Sequence, residues 1–297
     1  MKIPYFPGCS LKTSAKNFEI SAISSAKVLG IDFVEIPRWN CCGVVSSLSS
    51  DDLMHHLAPV RNFVRVLEMN KTKMVENEKR MLTLCSMCYN TLKRSNQRVK
   101  NNPEELESIN NFMYREEEYD GSVEVIHYLQ LLDEIGFSQM TEKVKNSLEN
   151  LNVAAYYGCM LIRPKEVGID DAEEPEIFEK FLSALTAKPV AWNAKKRCCG
   201  SYLTVNNKDV VVDLAYGILN DARKNGADLI VTACPLCAFN LDNRQKNVLE
   251  KHPDFKTIPV LYFTQLMAIA FGLDEKSFGF ELNYIKPNDV LKEKVFK

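Results

Sequence analysis

Cys198-Cys199-Gly200 and the run Thr232-Ala233-Cys234-Pro235-Leu236-Cys237, with Cys159 upstream, put five thiols in the second half of the chain. The first half carries Cys9, Cys41, Cys42, Cys85 and Cys88 in the same order, and these two sets account for all ten cysteines. The second set reads Cys, 38 residues, Cys-Cys, 34 residues, Cys-x-x-Cys. A tetrahedral zinc ion takes four ligands, and so does an ordinary cubane iron–sulfur cluster. Adjacent cysteines point in different directions and chelate one ion poorly, but they can reach two irons of one cluster. Five thiolates in this order therefore suit a multi-iron site. A zinc site in at least one half stays open, because C-x-x-C is common in zinc proteins. A disulfide framework is disfavoured in a long chain without secretory features. Scattered core cysteines would not recur twice in one order.

Positioning two such sets calls for a scaffold that repeats. Tyr5-Phe6-Pro7-Gly8-Cys9 answers Ala155-Tyr156-Tyr157-Gly158-Cys159, and Thr83-Leu84-Cys85-Ser86-Met87-Cys88 answers the second C-x-x-C run. Val123-Glu124-Val125-Ile126-His127-Tyr128 answers Ile258-Pro259-Val260-Leu261-Tyr262-Phe263. The offset near 150 residues makes each half a domain, 1–148 and 149–297.

Residues 2–6, 32–36, 81–84 and 123–128 read as strands, alternating with helices, which argues for parallel α/β sheets. Ligands of such sheets gather beyond the carboxyl ends of the strands, where Cys9 and the C-x-x-C groups fall. A helix start also favours thiolate, which suits Cys85 and Cys88. The first helix is expected to bury Ile20, Ile23, Ala26, Val28 and Leu29 and to end at Gly30. Residues 51–68 read as a helix on which His55 and His56 are ordinary residues rather than ligands, and residues 89–100 and 129–135 read as further helices. Trp39 is expected to pack beside the first cysteine pair. The acidic patch at 115–120 reads as a solvated loop. The gap from Cys42 to Cys85 is 42 residues against 34 in the second half, a surplus expected as an inserted loop in the run 70–79.

Net charge of −2 gives no global case for nucleic acid or an anionic membrane. The opening Met1-Lys2-Ile3-Pro4-Tyr5-Phe6-Pro7-Gly8 is broken before a signal-peptide core could form, and the apolar stretch near 260–273 is too short to span a bilayer. Ten cysteines without secretion signals imply a reducing cytoplasm. The chain has no ferredoxin-type cysteine string and no dinucleotide fingerprint, so it needs partner subunits to bring electrons.

The repeated G-C, C-C-G and C-x-x-C motifs resemble those of the B-type subunit of heterodisulfide reductase, the two-CCG-domain catalytic component in methanogens and some other anaerobes. The resemblance covers nearly the whole chain and includes the closing Phe271-Gly272-Leu273-Asp274. It implies two pseudo-repeated Rossmann-like α/β domains, each with a mainly parallel sheet flanked by helices. It further implies that each domain holds a non-cubane [4Fe–4S] cluster on five cysteines: Cys9, Cys41, Cys42, Cys85 and Cys88, then Cys159, Cys198, Cys199, Cys234 and Cys237. No flavin or NAD is expected in this chain. The implied partners are a ferredoxin-like C-type subunit of heterodisulfide reductase, a flavin-bearing A-type subunit that bifurcates electrons, and a hydrogenase or formate dehydrogenase. The implied substrate is the mixed disulfide of coenzyme M and coenzyme B.

That disulfide is anionic at both ends, so a nearly neutral chain should place local positive charge by the cysteine loops. Lys12, Arg38, Arg163, Lys196 and Arg197 are the candidates by sequence proximity. CCG domains also occur in thiol:fumarate reductase and succinate dehydrogenase, so an electron-transfer or anchoring subunit of that type is the competing reading. A zinc-stabilised scaffold is the third.

Overall fold

Each half begins with a short apolar strand that stops at a glycine, and this local signal sets the whole architecture. The computed structural model describes residues 1–44, 53–76 and 78–296. In the first half β1 (Lys2–Phe6) leads through α1 (Gly8–Leu11) and α2 (Lys16–Val28) to β2 (Asp32–Glu35). Then come α3 (Leu57–Lys71), β3 (Arg80–Thr83), α4 (Ser86–Asn101), α5 (Pro103–Phe112), β4 (Glu124–His127), α6 (Tyr128–Ile135) and α7 (Phe137–Thr141). The second half runs β5 (Asn152–Tyr156), α8 (Ile177–Ala184), β6 (Lys188–Pro189), α9 (Lys208–Lys224), β7 (Leu229–Thr232) and α10 (Pro235–Ala238). It closes with α11 (Gln245–Lys251), β8 (Val260–Tyr262), α12 (Phe263–Ala270) and α13 (Asn288–Lys294).

Two four-stranded sheets result, ordered β2-β1-β3-β4 and β6-β5-β7-β8, with every pairing parallel. The registers Phe6↔Thr83 and Tyr156↔Thr232 bring corresponding strand ends level, so the turns that follow share one rim in each sheet. The inner strands β1, β3, β5 and β7 are buried along nearly their whole length, as parallel strands covered on both faces must be, while the edge strands β2 and β6 are partly or fully exposed. This is the expected α/β fold.

The halves meet through helices related by the repeat: α2 packs on α12, and α6 packs on α8. At the first contact the Phe18 and Tyr262 rings stack with centroids 4.2 Å apart, and the Ser21 and Thr264 hydroxyls bond at 2.7 Å. This contact corrects the expected face of α2. Ile20 is 40% exposed, whereas Phe18, Ser21, Ala22, Ser25 and Ala26 are buried. Small polar residues let the two helices approach, and Ser21 and Ser25 satisfy themselves on the backbone carbonyls of Asn17 and Ser21.

Two loop expectations are also corrected. The patch at 115–120 is not merely solvated: Glu116 bonds Arg61 and Arg65 at 2.6 and 2.5 Å, tying the loop to α3. The surplus between Cys42 and Cys85 is divided. Fourteen residues lie between Cys42 and α3 against eight between Cys199 and α9. Thirteen follow α3 before Cys85, against nine after α9 before Cys234. The helix expected over 51–68 begins as a short 3-10 turn at Leu53–His56 and becomes α-helical from Leu57. Asp51, Asp52 and Asn77 lie outside the described residues. Trp39 sets its ring edge-on to Phe6 at 5.8 Å and donates its indole N–H to Glu35.

Candidate functional site

The turn after β1 reverses at Gly8 with φ +72°, and a Cβ there would lie 3.0 Å from Cys88 Sγ. Glycine is required because the backbone passes directly over that thiol. The second half repeats this: Gly158 has φ +66°, and its absent Cβ would lie 3.3 Å from Cys237 Sγ. Cys85 caps α4 and Cys234 caps α10, both with extended backbone, so each C-x-x-C straddles a strand end and the first helical turn.

The thiols gather set by set. Cys42 Sγ lies 3.5 Å from Cys88 Sγ, and Cys199 Sγ lies 3.4 Å from Cys237 Sγ at the corresponding place. Cys42, Cys85, Cys88, Cys199, Cys234 and Cys237 are buried, Cys9, Cys41 and Cys198 are exposed, and Cys159 is half-buried. All ten cysteines are free. Close packing splits their acidities. Cys41 pushes the Cys42 thiol down to about 4 while Cys42 holds Cys41 up. Cys159 likewise draws Cys198 down to about 6, and Cys198 raises Cys159. Cys42 raises Cys88, and Cys199 raises Cys237. Thiols that share protons this way sit close enough to bind one group together.

The two C-x-x-C turns also meet. The Cys85 thiol is drawn down first by its bond to Cys234 and then by Cys88. Cys237 pulls Cys234 down, but Cys85 and burial outweigh it and hold that thiol up. Beside this contact the Ser86 N–H and hydroxyl both donate to the Ala233 carbonyl, at 2.9 and 3.0 Å. The loop after Cys159 is fastened to α4 by Tyr89, which donates to the Val167 carbonyl at 2.8 Å. Asn90 adds bonds to the Met160 and Arg163 carbonyls.

Among the described residues no three His, Cys, Asp or Glu side chains are arranged to hold a single metal ion. The candidate donors are sulfur throughout, five to a half, with one close sulfur–sulfur pair in each. By donor chemistry that set fits a cluster of several irons.

The five basic candidates divide. Lys12 is held by Glu19 and Glu35, both at 2.7 Å. Arg38 is paired with Glu68 at 2.7 Å, and Arg163 and Lys196 share Glu173 at 3.1 and 3.0 Å. Arg197 is exposed, adjoins Cys198, and makes no side-chain hydrogen bond or ion pair with a described residue.

Sequence reasoning missed a second group of cations. Arg94 and Arg98 lie on α4, one and two turns beyond Thr91, and line a cavity of about 330 Å³ with His55, His56, Pro164 and Val167. The signal is present as Cys88, Thr91, Arg94 and Arg98 at helical spacing.

A parallel α/β fold duplicated with a cysteine set at the strand ends of each sheet defines a class of repeated, cysteine-rich proteins. The pattern of the cysteine-rich CCG domain matches residues 3–93 and 153–242, and the chain belongs to that family. It is 32% identical to the 8-methylmenaquinol:fumarate reductase membrane anchor subunit of Wolinella succinogenes, over 95% of this chain and 96% of that one. It is also 32% identical to the B-type subunit of the ferredoxin/F420H2-dependent CoB-CoM heterodisulfide reductase of Methanosarcina acetivorans, over 96% and 94%. Among solved structures a hypothetical protein from Helicobacter pylori shares the fold, with a TM-score of 0.74 at 14% identity. That match covers 96% of this chain and 52% of the other, so the chain spans about half the length of that protein. Among the described residues no helix is long and apolar enough to cross a membrane.

Proposed function

We propose that this chain is the disulfide-reducing iron–sulfur subunit of a cytoplasmic, electron-bifurcating complex, and that it reduces the coenzyme M–coenzyme B heterodisulfide to two thiols. Cys9, Cys41, Cys42, Cys85 and Cys88 hold one non-cubane [4Fe–4S] cluster in residues 1–148. Cys159, Cys198, Cys199, Cys234 and Cys237 hold the other in residues 149–297. When bound, such clusters supply one-electron transfer and iron that takes up sulfur. The reaction consumes one disulfide, two electrons and two protons and yields two thiols. The electrons come from a ferredoxin-like subunit, fed by a flavin-bearing one and a hydrogenase or formate dehydrogenase.

The observation that carries this reading is the junction of the two C-x-x-C turns, where the Ser86 N–H and hydroxyl donate to the Ala233 carbonyl between Cys85 and Cys234. Two one-electron sites held side by side match a bond with two sulfur ends. The chain's part is positional. Gly8 and Gly158 admit the backbone over Cys88 and Cys237, and Tyr89 and Asn90 hold the Cys159 loop against the first set's helix. Every cysteine belongs to one set or the other, so none remains to act as a separate dithiol.

The test is anoxic purification followed by metal analysis and assay. About eight irons with matching sulfide per chain, and reduction of the heterodisulfide by reduced viologen, are expected. Zinc without iron would overturn every redox reading. A second reading has an observation of its own: the equal 32% identity to the membrane anchor of a fumarate reductase. In that case the chain carries electrons between a quinol and a fumarate-reducing partner. Full iron content, no heterodisulfide turnover and co-purification with a fumarate-reducing flavoprotein would select it.

A further inference from the structure

One turn beyond Cys88 on α4, the Thr91 side chain is 2% exposed, and its hydroxyl has no hydrogen-bond partner. Threonine accepts burial when its hydroxyl is bonded, so an orphan at a cavity wall marks a place where something else completes it. The cavity it lines holds about 330 Å³ between α4, the His55–His56 turn and the loop that follows Cys159. Arg94 and Arg98 line the same cavity. Arg98 is engaged by Glu105 at 2.8 Å, while Arg94 makes no hydrogen bond or ion pair with any described residue. His56 is held by Ser95 at 3.0 Å, and burial lowers its pKa, so it presents a neutral ring.

The cavity lies beside the thiols. Thr91 follows Cys88 by three residues, about 4.5 Å along the helix axis. On the other wall, Pro164 belongs to the turn that starts at Cys159, which Gln97 fastens through the Glu166 carbonyl at 3.0 Å. The charge of Arg94 reaches Tyr202, which also feels Cys159, Cys234 and Cys198. Arg94 thus lines a polar cavity whose far wall continues from Cys159 of the second thiol set.

The corresponding groove in the other half is filled differently. There Pro235 of α10 and Phe239, Asp242 and Asn243 of the π-helical turn that continues it line a groove with Ser14 and Asn17. The chain segment at Leu282–Tyr284 lies across them, with the Tyr284 and Ile285 N–H groups bonded to Asp242. A carboxylate and aromatic rings occupy one groove, and guanidinium groups line the other.

We propose that the cavity beside α4 binds an anionic arm of the disulfide, with Arg94 countering its charge and the Thr91 hydroxyl donating to it. The arm carries a carboxylate, sulfonate or phosphate, and the site is single, because the equivalent groove is acidic and crossed by the chain itself. This assignment rests on the disulfide-reducing reading of the site. Arg94 is a binding residue here, distinct from the cysteines.

Calorimetric titration of the anoxic, iron-loaded protein tests it, with 3,3′-dithiodipropionate as the anionic probe and bis(2-hydroxyethyl) disulfide as the neutral one. Arg94→Ala should weaken the anionic probe about 10-fold or more, the scale of a charge-assisted hydrogen bond. Thr91→Val, which keeps the shape, should weaken it about fivefold. Both variants should keep their iron and bind the neutral probe as the wild type does. If both leave binding of the anionic probe within twofold, the assignment is overturned. Viologen-driven turnover of the coenzyme M–coenzyme B heterodisulfide by wild type and both variants separates this result from the underlying reading. Arg94-dependent binding without turnover supports the cavity and sinks the reductase. Turnover that ignores Arg94 supports the reductase and overturns the cavity.

Discussion

The two halves place their sulfur alike and differ in what surrounds it. Cys42–Cys88 and Cys199–Cys237 pair at 3.5 and 3.4 Å, each beneath a left-handed glycine. The turns that carry them diverge at one atom. Ser86 donates its N–H across the junction to the Ala233 carbonyl, but its counterpart is Pro235, which has no N–H to return. The Leu84 carbonyl, partner of Ala233 in the repeat, is met instead by His127 Nε2 at 2.8 Å. Nδ1 of that ring accepts from the Leu129 N–H, so the hydrogen bonds assign the proton to Nε2. Tyr262 stands at the matching place in the second half. Sulfur geometry thus tolerates little change, while the backbone polar groups beside it can be satisfied in two ways.

The strongest way to break this comparison is to remove a thiol from one half. Cys88→Ser and Cys237→Ser should each lower iron from about eight to about four per chain, as should Cys41→Ser and Cys199→Ser. The folds should survive, since both sheets keep their cores. Iron counts with circular dichroism decide the matter. Loss of all iron from any one of these variants would show that the sets are interdependent through the Cys85–Cys234 contact. Cys234→Ser is the most sensitive to that outcome, because Cys234 follows Ala233, whose carbonyl is bonded by Ser86 at the junction of the two sets.

A smaller effect sharpens the likeness. Gly8→Ala and Gly158→Ala both force a side chain into left-handed backbone, at about 1–2 kcal/mol each. Gly8→Ala should cost more, because its methyl would meet sulfur at 3.0 Å rather than 3.3 Å. Thermal unfolding should show both variants lowered and Gly8→Ala lowest. Equal shifts would mean that strain alone, and not closeness to the thiol, sets the cost.

His127 marks the difference between the halves and carries a pH dependence. Burial pushes its pKa down to about 3, so the folded protein keeps the ring neutral. The unfolded chain takes up a proton below about 6.5, so this residue withdraws stability as pH falls from there toward 3. At pH 5.5 the loss should be about 1.4 kcal/mol. Denaturant unfolding of wild type and His127→Phe at pH 7.5 and 5.5 should show a flatter dependence in the variant, on a lower baseline from the lost cap and carbonyl bond. The same slope in both would exclude this ring as its source.

Much of the fold is legible in the sequence because β1, β3 and β4 are short apolar runs bounded by Gly, Cys or a helix start. The ten cysteines stand out because no other residue type repeats in that order. What escapes has physical reasons. The buried face of α2 carries Ser21, against Thr264, and Ser25, so hydrophobic periodicity points to Ile20 instead. α5 is a polar segment, Pro103–Phe112, of which only Ile109 is buried, and no apolar stripe announces it. β6 spans two residues, too few for alternation to register. The Thr91–Arg94–Arg98 stripe is readable in principle, but proximity in sequence to a cysteine favours loop residues over those on the next turns of a helix.

The smallest expected effect concerns the cations at the two Cys-Cys loops. Arg38 precedes Cys41 and Arg197 precedes Cys198, yet Glu68 neutralises the first at 2.7 Å, while the second meets no carboxylate among the described residues. A paired charge presents little field to a ligand, and an exposed one is screened within about 8–10 Å at ordinary salt. Arg197→Glu should therefore raise KM for the heterodisulfide about threefold at low salt and less at high salt, with kcat and iron unchanged. Arg38→Glu, Lys12→Glu, Arg163→Glu and Lys196→Glu should each shift KM by less, although each frees a carboxylate that repels an anion. If Arg38→Glu exceeds Arg197→Glu, the anionic substrate approaches from the first half's loop, and the free charge at Arg197 has another use.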